Sequence, residues 1–571
     1  MKNYEIAKIL YNIALYLEME DEPFKPRAYE KAARSVEALT EDASDIYKRG
    51  GTKALMDIPG VGEAISEKIE ELVLTGKLEY YEKLKKKIPV DIEGLTSIEG
   101  VGPKRVKILY KRLKIKTVED LEKVAKERKI RKLEGFGEKS EEAILQGIEF
   151  FKKSKGRFIL GYVLPVLRDI EERLKNLPEV KKVNIAGSTR RMKETIGDAD
   201  FLVASDEPQK VMDFFTSMPE VAHVYSKGPT KSMVKLKIGL DADIRVIPEK
   251  SYGAAFQYFT GNKDHNIALR KIAIDKGWKL SEYGVFNKND RYLFGKTEKE
   301  VYEKLGMKWM PPELRENTGE IESAMKNKLP NLIEYGSLKG DLQIQTKWTD
   351  GTNSIKEMAE EAKKLGLEYI AITDHTKRNA FVGGLDEKQI LRQKKEIEKT
   401  NEEMHGLTIL SGTEVDILKN GELDISDKVL SQLDVVGASV HSNFNLSRGE
   451  QTERIIKGME NENVDILFHP TGRLIQQRES YDVDIEKIIQ IAKDTGTILE
   501  INAFPNRLDL KDEHIKLAVK SGVKLVIDSD AHNKNQIHYL EFGIAQARRG
   551  WAEAKDIVNT RKLNDFIKSL K

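Results

Sequence analysis

Across residues 340–571 the chain repeats one pattern: a short apolar run that ends in a side chain able to hold a metal ion. The run at 369–373 leads into Asp374 and His375, and the run at 408–410 leads to Glu414. Residues 435–440 lead to His441, 465–468 to His469, and 524–527 to Asp528, Asp530 and His532. Strand-like runs alternating with helical stretches specify a parallel α/β barrel. In such a barrel the strand ends gather on one face, where residues far apart in sequence build one site. Four of the nine histidines fall at these ends. Matched acids accompany them, which isolated packing histidines do not explain.

At 571 residues the chain is too long for one ordinary core, so several domains are expected. The absence of cysteine excludes disulfides and thiolate metal sites and fits a reducing cytoplasm. No apolar run approaches membrane-spanning length, and Met1 is followed by Lys2, Asn3, Tyr4 and Glu5 rather than by a signal peptide. The expectation is a soluble, cytoplasmic, monomeric protein.

The formal charge is only +2, so bulk electrostatics single out no partner. Local charge says more: Lys83, Lys85, Lys86 and Lys87 form one cluster, and Lys104, Arg105, Lys107, Lys111, Arg112, Lys114 and Lys116 another. Such clusters either follow a phosphate backbone or form a salt-bridged helical surface. Residues 1–90 read as helices, with apolar faces over 6–17 and 28–39. An internal repeat accompanies the clusters: Gly60-Val61-Gly62, Gly100-Val101-Gly102 and Gly135-Phe136-Gly137 each precede a helix. The glycines permit a tight turn, and the next helix begins with unpaired N–H groups that hold a phosphate without reading a base. Lys104 lacks the longer glycine loop of a nucleotide P-loop. The other reading of the repeat is glycine turns that only join packed helices.

Between 155 and 250 the pattern becomes mixed, with strands expected at 183–186, 201–203, 233–238 and 242–246. Asp198 and Asp200 stand one residue apart at the start of a strand, which places both side chains on one face. Asp243 supplies a third carboxylate; it is preferred to Asp241 because it lies deeper in its strand. Clustered carboxylates hold the paired magnesium ions of a phosphoryl-transfer site. Upstream, Gly187-Ser188-Thr189-Arg190-Arg191 offers a compact turn, a hydroxyl and guanidinium donors suited to a triphosphate.

With Gly187-Ser188-x-x-Arg191, Gly197-Asp198-x-Asp200 and Asp243-Ile244-Arg245 in place, residues 1 to about 320 resemble the family X DNA polymerases. The resemblance implies a lyase-like helical domain (1–90), fingers with helix-hairpin-helix elements (91–154), an α+β nucleotidyltransferase palm (155–250) and a small thumb (251–320). It implies that Ser188 and Arg191 contact an incoming deoxynucleoside triphosphate, assisted by Arg157, and that Asp243 helps deprotonate the primer hydroxyl. In Tyr258-Phe259-Thr260-Gly261 the two aromatics would exclude a ribose, while Asn266 would face the base and Arg270 the template; as residues alone, the pair reads equally as core aromatics. Lys68 aligns with the family's Schiff-base lysine, and Lys25, Tyr29 and Lys31 with 5′-phosphate-binding residues. Phe24 and Ala64 depart from the familiar lyase pattern, so phosphate binding is expected ahead of vigorous lyase activity, and Lys68 also reads as an ordinary solvated lysine.

After a linker at 321–337, residues 338–571 resemble a PHP (polymerase and histidinol phosphatase) domain, a distorted α/β barrel that binds manganese or zinc and can hydrolyse phosphodiesters. By that resemblance Asp350, His375, Glu414, His441, His469, Asp530 and His532 are ligands. Gln343 and Gln345 stand where the family has two histidines, and glutamine replaces imidazole poorly. The whole resembles bacterial and archaeal family X polymerases with a carboxy-terminal PHP domain. The expectation is therefore gap filling on gapped or primed DNA bearing a 5′-phosphate, in base excision repair, with a weakened nuclease. A DNA-end or abasic-site nuclease and a non-catalytic DNA-end-binding scaffold are the rivals.

Overall fold

The computed structural model describes every residue except Lys2, Ala38, Thr40, Glu99, Lys155, Ala380 and Phe381; Glu99 of the second glycine repeat therefore lies outside the described residues. Helices fill the chain up to Ser154. Their apolar faces form one core, in which Leu10 and Ile69 belong to the same cluster as Leu109 and Ile144. The three glycine repeats are three copies of one turn. Gly60, Gly100 and Gly135 adopt φ of +80°, +77° and +80°, and the backbone N–H of Val61, Val101 and Phe136 closes each hairpin onto Ile58, Ile98 and Leu133. The helices Glu63–Thr75, Pro103–Leu113 and Glu138–Ser154 start directly after the second glycines. A side chain at Gly62, Gly102 or Gly137 would meet nothing within 4 Å, so these helix starts face open space.

The next segment contains β1 (Phe158–Ile159), β2 (Lys182–Ile185), β3 (Thr195–Ile196), β4 (Asp198–Ala204), β5 (Val221–Lys227), β6 (Lys231–Leu236) and β7 (Asp241–Ile247). Five of them form a sheet of order β2-β4-β7-β6-β5, and β1 pairs with β3 beside it. β4 and β7 run parallel, the other pairs antiparallel. The expected strand at 233–238 lies two residues earlier, because Leu236 accepts the Gly239 N–H in the turn to β7. β5 was not anticipated. It is an exposed edge strand with no buried face to impose alternation.

β8 (Trp278–Ser281), β9 (Gly284–Asn287) and β10 (Tyr292–Phe294) form a small antiparallel sheet over the helices Tyr252–Thr260 and Lys263–Asp275. The segment 321–337 is not a free tether. Ile321 and Ala324 complete the core of this unit, and Ile333 belongs to the core that follows. A segment whose apolar residues serve two cores shows no single period.

The last unit is β11 (Gly340–Ile344), β12 (Tyr369–Ile372), β13 (Thr408–Asp416), β14 (Val435–Ser439), β15 (Ile466–Leu467), β16 (Ile498–Asn502) and β17 (Leu525–Asp528), all parallel and in sequence order. A bridge between Ile344 and Ala531 nearly closes the ring. Alternate strand residues such as Tyr369 and Ala371 form an inner core with Phe566, whose ring stacks on Tyr369 at 5.2 Å. Ile370 and Ile372 pack outward with Met358 and Ala359 of a covering helix.

The units are packed on one another. Leu508 and Phe542 of the barrel lie in the apolar core of the five-stranded sheet. Glu194 is gripped by Arg473 at 2.6 Å, and Arg168 pairs with Glu541 at 2.9 Å. Among the described residues, no helix is long and apolar enough to cross a membrane.

Candidate active sites

The parallel pairing of β4 with β7 sets Asp198 opposite Asp241 and Asp200 opposite Asp243. Strand alternation points all four away from the core that holds Ala199, Phe201 and Ala242. Asp241 is paired with Lys235 at 2.7 Å and Asp243 with Lys231 at 3.1 Å. Burial, followed by the charges of Asp198 and Asp243, pushes Asp200 up to about 7. Crowded like charge of this kind calls for a cation, and an all-carboxylate donor set fits magnesium.

Gly187 is the backbone contact to this cluster. At φ +61° it lies so close to Asp200 that a Cβ would stand 2.3 Å from a carboxylate oxygen. Gly187→Ala is expected to displace Asp200 and lower nucleotide incorporation by roughly 10²-fold, the scale of an ångström-sized misplacement, in single-turnover kinetics. Undiminished incorporation would show that the close approach is dispensable.

Ser188 follows in the half-buried turn Gly187–Arg190. Arg191 does not face open space: its guanidinium donates to Glu316 at 2.9 Å and to the Thr260 carbonyl, beside Gly261. Arg190, read in the sequence with Arg191 as a guanidinium donor, instead donates to both oxygens of Glu298 at 2.7 Å and lies 3.4 Å from the centre of the Phe256 ring. Arg157 is held to Thr195 at 2.8 Å, near Gly197 and the start of β4. Tyr258 and Phe259 meet edge to face at 5.2 Å, with Arg245 over the Phe259 ring. Asn266 turns inward, accepting from Gln257 and donating to the Tyr258 carbonyl, both at 2.7 Å, whereas Arg270 is exposed.

In the helical region, Lys68 Nζ lies 5.1 Å from the centre of the Tyr80 ring, and Tyr80 stacks on Tyr29. Tyr80, not singled out in the sequence, thus joins two candidate residues. Lys25 is paired with Glu22. Lys31 points elsewhere and donates to the Gly351 carbonyl of the barrel at 3.2 Å. Lys104 is exposed at its hairpin helix. Lys83, Lys85 and Lys87 are each salt-bridged, so that cluster is chiefly a paired helical surface.

The barrel centre gathers the strand ends. Two groups bring three ligand atoms within 4.8 Å of one another: Asp350 with His375 and His532, and His375 with Glu414 and His441. Glu414 lies within β13, His469 contacts it at 2.8 Å, and Asp530 is held by Arg507 at 3.2 Å. Burial opposes ionisation of Glu414, yet His375, His441 and His469 hold its carboxyl well below the usual range. Burial likewise opposes ionisation of Asp350, which His532, His375 and Arg34 hold low. His375 Nδ1 and His441 Nε2 approach Glu414 at 3.2 and 3.1 Å, but make no aligned hydrogen bond. Unpaired buried nitrogens converging on a carboxylate fit a shared divalent cation.

The position beside Gln343 and Gln345 fits an ion poorly. Gln345 donates to Glu414 at 3.0 Å, Gln343 accepts from Asn502 at 3.1 Å, and each leaves its other amide atom buried without a partner. A glutamine N–H therefore occupies one Glu414 oxygen, and neither amide supplies an imidazole ligand. Asn502 and Glu500 of β16 were missed, because that apolar run ends in an amide rather than in histidine. Burial and the nearby Asp528 and Asp530 push Glu500 well above its usual range. Gln343→His with Gln345→His is expected to add one manganese per chain by metal analysis; an unchanged count would refute the loss of a position here.

A carboxylate-lined palm beneath a Gly-Ser turn, joined to a histidine-rich parallel barrel, defines a polymerase-type chain with a second metal-capable centre. Comparisons with known proteins agree. Family models described as Helix-hairpin-helix domain and SAM-like Helix-hairpin-helix tandem match residues 1–78 and 92–149. Models described as DNA polymerase beta thumb and PHP domain match residues 255–316 and 341–504. The chain is 38% identical, over the full length of both, to the DNA polymerase/3′-5′ exonuclease PolX of Bacillus subtilis (strain 168). It is also 28% identical to DNA polymerase lambda of Arabidopsis thaliana over 46% of this chain and 53% of that one. A probable phosphatase of Thermoanaerobacter sp. (strain X514) is 30% identical over 38% of this chain and 89% of its own length. The chain belongs to the family X DNA polymerases that carry a PHP domain.

Proposed function

We propose that the protein is a template-directed DNA polymerase that fills short gaps during base excision repair. The observation that carries this reading is the register of β4 and β7, which sets Asp198, Asp200 and Asp243 on one face beside Gly187. Asp198, Asp200 and Asp243 would hold two magnesium ions, which lower the cost of the developing charge at the transferred phosphorus. Ser188 would meet the triphosphate, and Arg157 stands at the edge of the same strand. Arg191 would fix the Tyr258-Phe259-Thr260-Gly261 segment by its bond to Thr260, a positioning role. Tyr258 and Phe259 would border the sugar, and Arg270 would face the template. The three hairpins would hold DNA by its phosphates, independently of sequence. Lys25, Tyr29, Lys68 and Tyr80 form the candidate surface for the downstream 5′-phosphate.

The barrel is the place for phosphodiester hydrolysis. His375, Asp350, His532, Glu414 and His441 would hold manganese or zinc, which supplies an activated water. Poor fit at the glutamine position supports a weakened nuclease.

The test is magnesium-dependent incorporation of each deoxynucleotide on a one-nucleotide gapped duplex, with and without a 5′-phosphate. Template-matched extension, stronger with the phosphate, supports gap filling. Gap binding without extension would sink it in favour of a scaffold, and product release without nucleotides would favour the nuclease.

A further inference from the structure

A cavity of about 1040 Å³ lies between the amino-terminal helices and the mouth of the barrel, with His375, His441 and His532 at its base. Pockets for small ligands span about 300–1,000 Å³, so this one has room for a terminal nucleotide and its phosphodiester. Its outer wall includes the helix Lys25–Glu37, which does not simply rest on the barrel. Lys31 donates to the Gly351 carbonyl, and Ser35 accepts from Asn533 at 3.3 Å. Between them Arg34 reaches into the cavity, 3.4 Å from Asp350. Among the described residues Asp350 is its only hydrogen-bonding partner, so most of the guanidinium's donors are uncommitted.

We propose that Arg34 is a phosphate-binding residue of the barrel centre, supplied by the amino-terminal domain, and that the cavity takes the terminal nucleotide of a single DNA strand. The inference rests on the reading of the barrel as a phosphodiester site. Asp350 belongs to the cluster with His375 and His532, so a phosphate held over that cluster lies within reach of the guanidinium. A guanidinium fork matches two non-bridging phosphate oxygens. The barrel's own arginine in the cavity, Arg507, is already tied to Asp530. Glu30 and Glu37 share the helix and the cavity wall with Arg34, and burial pushes both carboxyls up, Glu37 to about 7. Phe158 and Phe504, both half-buried, line the same cavity and supply aromatic surface beside it.

The full chain is loaded with manganese, and its binding of a fluorescent hexathymidylate with phosphorothioate linkages is followed by anisotropy. Arg34→Ala is expected to weaken the manganese-dependent binding by about tenfold or more, the scale of one charge-assisted hydrogen bond. Arg34→Lys should recover part of the loss, and the manganese content should stay constant. Unchanged binding by Arg34→Ala, while His375→Ala abolishes it, would overturn the role of Arg34 alone. Unchanged binding by both would place the failure in the barrel-site reading and remove the proposal with it. Tighter binding by Arg34→Ala would make the helix a plug, and loss of manganese would make Arg34 a support of the ion site; either result overturns the proposal.

Discussion

Asp200→Ala is expected to lower nucleotide incorporation by at least about 10³-fold while leaving gapped-DNA binding intact. Metal-borne charge stabilisation is worth several kcal/mol in phosphoryl transfer, and each 1.36 kcal/mol is a decade in rate. Asp200 is the best placed of the three to carry it: it lies under Gly187, opposite Asp243, and shares its field with Asp198. The same crowding gives a dependence on pH. Proton and cation compete for this carboxylate, so magnesium affinity should fall as pH drops below about 7. The folded chain keeps the proton to about pH 7, whereas the ordinary value is 3.8. The metal-free protein should therefore lose stability as pH rises between those values. Isothermal titration with magnesium at pH 6 and 8, on wild type and Asp200→Ala, checks the affinity, and denaturation of the metal-free proteins across that pH interval checks the stability. Equal affinity at the two pH values in wild type would contradict the account.

Glu298→Ala is expected to destabilise the protein by about 3–5 kcal/mol, the scale for removing one partner of a buried ion pair. Glu298 accepts from Arg190 at 2.7 Å, from the fully buried Arg315 at 2.7 Å and from Trp309 at 3.1 Å. Burial opposes its ionisation, but Arg315 and Arg190 hold its carboxyl far below the usual range. Alanine would leave the buried Arg315 and the half-buried Arg190 without their anion. The loss should appear as a lower denaturation midpoint by circular dichroism. Arg190 shares the short turn Gly187–Arg190 with Ser188, so incorporation should fall in parallel. Glu298→Gln, which keeps the shape but not the charge, should recover little. A midpoint within experimental error of wild type would contradict this role.

Much of this arrangement was legible in the sequence where chemistry and periodicity coincide. Asp198, Asp200 and Asp243 announce their strands because acids interrupt apolar runs at a spacing of two. The barrel ligands are readable because each apolar run ends in histidine or an acid. β16 escaped because Glu500 and Asn502 do not look like ligands in the absence of their neighbours. β5 escaped because an exposed edge has no core to enforce a pattern. Arg190 and Arg191 stand side by side in a motif that marks them as phosphate donors. Only tertiary structure shows Glu298 and Glu316 engaging them, from more than a hundred residues away. The family resemblance grouped Lys31 with Lys25 and Tyr29, whereas its side chain turns toward the barrel and donates to Gly351.

Leu508 and Phe542 sit inside the apolar core of the polymerase sheet, and Pro505 packs so closely on Gly161 that a Cβ there would lie 2.6 Å from it. The two halves are thus a single object for selection. Substitutions at Gln343 and Gln345 can erode hydrolysis at no cost to the neighbouring sheet, whereas deleting the domain would strip that sheet of part of its interior. A barrel weakened in hydrolysis would not thereby be a domain on its way to being lost. Its outer wall can remain under constraint after its chemistry has been released from it, and substitutions should accumulate in the mouth of the barrel before they reach Leu508 or Phe542.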